Sequence, residues 1–164
     1  MSEKDTAEEP KPTRIGIIGA GAWGTALAQA MASAGRDVTL WAREPEVVEA
    51  IDTERENRQF LPGEKLHDNI KATGSLTRAT ESDIILLVTP AQHVRKTLQA
   101  LKADLTDGKP LVICAKGIEV ETGYLMSYIA EEEIPITNIA VMAGPTFARE
   151  LAQGLPTAVT IAAS

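Results

Sequence analysis

From Arg14 onward, short runs of consecutive apolar residues alternate with segments whose apolar positions recur at helical spacing. RIGIIG (14–19), VTLWA (38–42), DIILLVT (83–89), PLVICA (110–115), residues 136–143 and TAVTIAA (157–163) are short and apolar at successive positions. That is the pattern of strands buried on both faces. Between them the periodicity predicts helices over 24–34, 45–54, 91–103, 122–133 and, more briefly, 146–153. Gly35 supplies a stop for the first helix, and Pro45 stands where a fixed φ and a missing N–H suit a first turn. Residues 57–75 are turn-rich, with Pro62 and Gly63, and hold one short strand near 70–73. Strand–helix alternation with doubly apolar strands predicts an α/β fold, in which a doubly wound, mostly parallel sheet carries helices on both faces. One domain, 14–164, accounts for the whole pattern, with no repeat and no interdomain linker.

Composition narrows the function classes. A chain of 164 residues suits one domain and buries a core without disulfide or metal staples. Its 44% hydrophobic and 24% charged residues are ordinary for a globular domain. No apolar run approaches the length of a bilayer span, so no membrane insertion is expected. The net charge of −7 argues against nucleic-acid binding, which favours a basic face. The single cysteine, Cys114, excludes an intrachain disulfide; inside an apolar strand it reads as a buried, inert thiol. His67 and His93 have no carboxylate or thiol cluster at ligand spacing, so no metal is expected. Residues 1–13 (MSEKDTAEEPKPT) are charged and nearly free of apolar side chains, the composition of a mobile acidic tail. They match neither a secretory signal nor an Arg-rich import peptide, which makes the cytoplasm the expected compartment.

Candidate chemistry clusters at the ends of the predicted strands. Gly19-Ala20-Gly21-Ala22-Trp23-Gly24 is G-x-G-x-x-G, placed after a strand and opening a helix. In that context Gly19 makes the turn, Gly21 admits a pyrophosphate to the backbone, and Gly24 lets helix and strand pack closely. The helix start then offers free N–H groups to the phosphates. The motif turns the α/β reading into a Rossmann-like one with a dinucleotide cofactor. At the end of the second strand an acidic residue binds the ribose of NAD, and a basic one accommodates the extra phosphate of NADP. Arg43 stands there with Glu44 after it. Spacing leaves both cofactors open; the guanidinium fork favours NADP(H), with NAD(H) as the alternative. Pro90 follows the strongest strand and either lines the cofactor crevice or simply stops the strand. Lys116, beside Gly117 at another strand end, either meets a substrate or is a surface lysine. In Gly144-Pro145-Thr146-Phe147, small residues permit close approach of a ligand, while Thr146 is equally suited to cap a helix. Of the two tryptophans, Trp23 lies within the glycine loop and is the expected cofactor contact.

Five blocks occur in a fixed order: GAGAWGTALA (19–28), LWAREPE (40–46), NRQFLPG (57–63), CAKGIEVETG (114–123) and GPTFARELAQGLPTAVTIAAS (144–164). Together they resemble the NAD(P)-dependent glycerol-3-phosphate dehydrogenases of the bacterial type, over about residues 14–164. The resemblance implies an oxidoreductase that reduces dihydroxyacetone phosphate to sn-glycerol 3-phosphate, the precursor of phospholipid backbones. It implies cofactor contacts at Ala22, Trp23, Arg43 and Ala148, and substrate contacts at Gly144 and Thr146. Lys116 would meet both. The family often has serine where Ala22 stands, so a hydroxyl contact is lost there and the backbone contact kept. Family members are about twice as long, and a second, all-helical domain supplies the general-acid lysine. That lysine would lie beyond Ser164, so no catalytic residue is expected in this chain, which should bind cofactor without appreciable turnover. An apolar face is expected where the helical domain would pack. The intact enzyme is compatible with a homodimer. Dehydrogenases of the 3-hydroxyacid and 6-phosphogluconate types share the glycine loop but should lack the LPG and GPTFA blocks. A non-catalytic nucleotide-sensing module would have no need of Lys116.

Overall fold

The computed structural model describes residues 13–135 and 137–163. The acidic tail expected over 1–13 therefore lies outside the described residues, apart from Thr13, as does Ile136. In chain order the elements are β1 (Arg14–Ile18), α1 (Ala22–Ser33), β2 (Asp37–Trp41), α2 (Pro45–Glu54), β3 (Ile70–Thr73), α3 (Leu76–Thr80) and β4 (Ile84–Leu87). They continue as α4 (Val94–Leu101), β5 (Pro110–Ile113), α5 (Met126–Glu133), β6 (Asn138–Ala143), α6 (Ala148–Ala152) and β7 (Thr160–Ala163). One sheet runs in the order β3-β2-β1-β4-β5-β6-β7. Neighbouring strands are parallel from β3 through β6, and β7 pairs antiparallel with β6. The doubly wound, mostly parallel reading holds.

The sheet is apolar at successive positions because it has a core on each face. Ile17 of β1 and Leu86 of β4 join Leu27, Leu40, Val47 and Ile51 on one side. Their chain neighbours Ile18, Ile85 and Leu87 join Leu98, Leu111 and Ile129 on the other. Each fully buried leucine or isoleucine contributes about 1.5–3 kcal/mol of hydrophobic stabilisation. Small residues set how closely the layers approach. Ala26, Ala28 and Ala32 of α1 are fully buried. A Cβ on Gly16 of β1 would stand 2.1 Å from the carbonyl oxygen of Ala79, so α3 crosses that strand in backbone contact.

The differences from the sequence pattern have local causes. α1 starts at Ala22, two residues before the predicted position, so half of the glycine motif is already helical. The helix expected over 91–103 is divided: the His93 N–H donates to the Pro90 carbonyl, closing a 3-10 turn over Ala91–His93 before α4 begins. The helix expected from residue 122 begins at Met126, because 119–123 closes a turn in which the Gly123 N–H donates to the Glu119 carbonyl and Gly123 has φ +73°. The five-residue α3, capped by Ser75 Oγ accepting from the Arg78 N–H, is too short to show a period. β7 is narrower than the apolar run that predicts it and is exposed along its whole length. Phe147, Leu155, Val159 and Ile161 are exposed on and around this edge strand. No helix among the described residues is long and apolar enough to cross a membrane.

Gly16→Ala drives a methyl group into the Ala79 carbonyl, which belongs to backbone and has little room to yield. The substitution is expected to lower unfolding free energy by about 1–3 kcal/mol, an overpacking cost, read from the urea midpoint at unchanged slope.

Candidate functional site

The strand order reverses between β1 and β4, and the crevice outside the carboxyl ends of such strands is where open α/β sheets take ligands. β1 delivers the chain into this crevice at Gly19, whose N–H donates to the Trp41 carbonyl at 3.1 Å. Gly19 has φ +120°, and a Cβ there would lie 3.1 Å from the Val88 carbonyl. Conformation and space both require glycine. At Gly24 a Cβ would stand 1.8 Å from the Gly19 carbonyl oxygen, so α1 is packed directly onto the loop. Gly21 is the opposite case, with nothing within 4 Å of where its Cβ would be. It is also the N-cap of α1, so it brings no side chain to the first-turn N–H groups, and no acidic residue lies in that turn. The helix therefore presents unpaired N–H groups and its positive dipole end on an open side, an arrangement suited to an anion.

A cavity of about 580 Å³ opens beside this loop, within the size range of cofactor sites. Gly19 and Gly21 line it, as do Trp41 at the end of β2 and Arg43 and Glu44 in the connection to α2. Thr89 and Pro90 line it after β4, and Leu76 of α3 and Lys96 of α4 complete the far side. The Trp41 indole N–H is held by the Gly74 carbonyl at 3.1 Å, which fixes the ring at the wall. Thr89 is buried, and its hydroxyl has no hydrogen-bond partner among the described residues. An orphaned polar atom beside a cavity is expected where a ligand completes the bonding. Arg43 stands at the rim with its side chain 76% exposed, its guanidinium paired to Glu44 Oε1 through Nε at 3.1 Å and Nη2 at 2.9 Å. The open glycine edge, the free helix N-terminus, the cavity volume and the orphaned hydroxyl together fit a dinucleotide.

A second group of residues meets at the ends of β5 and β6. Lys116 Nζ donates to the Gly144 carbonyl at 3.0 Å, and Thr146 Oγ1 donates to the Ala158 carbonyl at 3.1 Å. Thr146 is not a helix cap: α6 begins at Ala148 with Phe147 as its N-cap. A Cβ on Gly144 would lie 2.5 Å from the Ala158 oxygen, so the close approach that this glycine permits is by the chain's own backbone. The loop that follows Lys116 is clamped from the β4–α4 segment. Gln92 donates to the Ile118 carbonyl at 2.8 Å and accepts from the Val120 N–H at 3.0 Å. Arg95 bonds both Glu119 oxygens, at 2.8 and 2.9 Å, and also reaches Glu132 and Glu133 of α5. Those Arg95 bonds, with a lesser contribution from the Thr122 hydroxyl, hold the Glu119 carboxyl below the usual carboxylate range. Cys114 is buried in the core just past β5, and loss of hydration pushes its thiol up to about 12, far from a reactive thiolate.

Residues 14–164 match the family model described as NAD-dependent glycerol-3-phosphate dehydrogenase N-terminus. The chain belongs to this family. A protein of Parvibaculum lavamentivorans named glycerol-3-phosphate dehydrogenase (NAD(P)+) is 54% identical over 149 residues, covering 91% of this chain and 45% of that protein. One of the same name from Hyphomonas neptunium is 54% identical over 148 residues, covering 90% and 44%. The crystal structure of glycerol-3-phosphate dehydrogenase from Coxiella burnetii superposes with a TM-score of 0.85 at 33% identity, over 94% of this chain and 47% of that one. The chain thus spans a little under half the length of these three relatives.

Among the residues singled out by sequence, Gly19, Gly21, Arg43 and Pro90 border one cavity. Lys116, Gly144 and Thr146 gather at the neighbouring strand ends, and Ala148 opens α6 close by. Ala22, Trp23 and Gly24 lie in the first turn of α1, with Trp23 packed against the core; the tryptophan that lines the cavity is Trp41. His93, Lys96 and Thr97 were missed. They recur at i, i+3 and i+4 and line the cavity, while Val94, Leu98 and Leu101 of the same segment are buried. The helical period of this segment is visible in the sequence, but it does not say that the face opposite the buried one borders a cavity. The lowered Glu119 pKa means its contribution to stability is present above the ordinary glutamate range and is lost as pH falls through the folded-state value. Amide exchange over 117–125, corrected for intrinsic rates, is expected to lose protection below about pH 4, with Glu119→Gln showing no such step.

Proposed function

We propose that this chain holds the cofactor of an enzyme that reduces dihydroxyacetone phosphate to sn-glycerol 3-phosphate, a precursor of phospholipid backbones, in the cytoplasm. NADP(H) is the preferred cofactor and NAD(H) the alternative. The observation that carries the reading is the open, glycine-lined start of α1 facing a cavity at the sheet's switch point. The relatives' shared name supplies the reaction class. In this reading the first-turn N–H groups of α1 hold the pyrophosphate. Arg43 turns its guanidinium from Glu44 to the 2′-phosphate, exchanging one carboxylate for a more highly charged anion. When bound, the nicotinamide supplies a hydride to the substrate ketone.

The chain's own contribution near the substrate is charge and orientation. Lys116 retains two N–H bonds beyond the one made to Gly144, enough to engage a phosphate or the developing alkoxide without leaving its anchor. Thr146 and the Gly144 backbone lie beside it, and Ala148 starts the short helix next to them. Gripping the substrate and delivering the proton are assigned to the part of the relatives that this chain does not span.

Trp41 lines the cavity, so cofactor binding should quench tryptophan fluorescence and can be titrated directly. NADPH is expected to bind more tightly than NADH. Arg43→Ala should weaken NADPH about tenfold, the scale of one charge-assisted contact, and leave NADH nearly unchanged. Equal losses for both cofactors would remove Arg43 from the 2′-phosphate, and a wild-type chain that binds neither would remove the reading itself. Dihydroxyacetone phosphate reduction by the 164-residue chain alone is expected to be negligible.

A further inference from the structure

The turn that follows α2 sends one fully buried polar side chain under the glycine loop. Asn57 has no solvent exposure. Its carboxamide nitrogen donates to the Ala20 carbonyl and to Thr25 Oγ1, each at 2.8 Å. Its Oδ1 accepts from the Phe60 N–H at 3.2 Å, so neither end of the amide is idle. Thr25, equally buried, donates its own hydroxyl to the same Ala20 carbonyl at 3.3 Å. The Ala20 oxygen thus receives two bonds, from groups 37 and 5 residues away along the chain.

Ala20 lies between the two glycines that shape the phosphate-facing loop. In a trans peptide the carbonyl of one residue and the N–H of the next point in opposite directions. Holding the Ala20 oxygen toward Asn57 therefore turns the Gly21 N–H the other way, away from the protein interior. Gly21 borders the cavity and has open space where a side chain would be. On its Gly21 side this peptide plane has no Cβ to resist rotation, so the two bonds to the Ala20 oxygen do the holding.

We propose that Asn57 is the positioning residue of the phosphate-binding loop: by fixing the Ala20–Gly21 peptide plane it aims the Gly21 N–H at the pyrophosphate. The proposal rests on the dinucleotide reading above and goes beyond it by naming a residue that touches no ligand. It makes a distinction that a purely structural asparagine would not. Ligands with a pyrophosphate should depend on Asn57; ligands occupying only the adenosine end of the cavity should not.

The test uses the 164-residue chain with NADPH, ADP-ribose and adenosine 2′-monophosphate, the last read by displacement. Asn57→Asp has nearly the same shape and keeps the acceptor for Phe60, but sets an oxygen against the Ala20 carbonyl. It is expected to weaken NADPH and ADP-ribose about tenfold, the cost of misdirecting one charge-assisted donor, and to change adenosine 2′-monophosphate by less than about twofold. Equal losses for all three ligands, or none in a variant that unfolds cooperatively, overturn the proposal and leave the dinucleotide reading standing. If Asn57→Asp fails to fold, Thr25→Val removes the second fastening at constant shape. It should reproduce a smaller loss confined to the pyrophosphate ligands, and an unchanged ADP-ribose affinity overturns the proposal. A wild-type chain that binds neither NADPH nor ADP-ribose overturns both readings together.

Discussion

The arrangement of the site depends on one short distance, the approach of α1 to the loop that precedes it. A side chain on Gly24 would lie 1.8 Å from the Gly19 carbonyl, so only glycine lets the helix sit where it does. That position has two consequences. The helix axis runs back along the sheet with its Ala-rich face buried against β1 and β2, anchoring the central strand pair. The first turn is left at the crevice with its N–H groups turned outward. Moving the helix away would disturb both effects together, because the same contact sets both the packing and the direction of the dipole.

An acidic chain that receives a polyanion must do so locally. With a net charge of −7, long-range attraction is against it. The backbone N–H groups at α1 carry no counter-charge and cannot be neutralised by a surface carboxylate, and the first turn contains none. The side-chain cations divide into two kinds. Arg95 is committed to three carboxylates and serves the loop after Lys116. Arg43, by contrast, is paired with one neighbouring carboxylate at a largely exposed position, where such a pair is worth little and is readily exchanged. Arg95 is surrounded by its partners, and Arg43 is loosely held.

The sequence disclosed the fold well because its strongest signal, doubly apolar strands separated by helical periods, is a direct consequence of a sheet with a core on each face. α2 and β3 run over the predicted residues, since Pro45 marks one start and turns isolate the other element. The elements that shifted are those decided by tertiary contacts. The 119–123 turn is closed around Glu119, whose partner Arg95 is 24 residues away, and α3 is placed by its contact with Gly16. The site was legible where backbone geometry demanded a residue type, as at Gly19 and Gly24. It was illegible where a side chain acts from a distance. NRQFLPG was conspicuous as a block, but nothing in its spacing says that Asn57 reaches Ala20.

The two groups of candidate residues differ in how far the protein has already satisfied them. Around the cavity, the α1 N–H groups have no side-chain cap and the Thr89 hydroxyl has no partner among the described residues. Leaving the buried Thr89 hydroxyl without a partner costs free energy that a ligand recovers when it binds, while the open α1 N–H groups exchange water for the ligand. At the ends of β5 and β6 the polar groups are occupied from within: Lys116 by Gly144, Thr146 by Ala158, Glu119 by Arg95. A substrate there competes with, or adds to, bonds that already exist. The ammonium of Lys116 has N–H capacity to spare, whereas the Thr146 hydroxyl has only its acceptor lone pairs left. Of the two, Lys116 is therefore the group with donors still available for a further bond without first breaking its own structure.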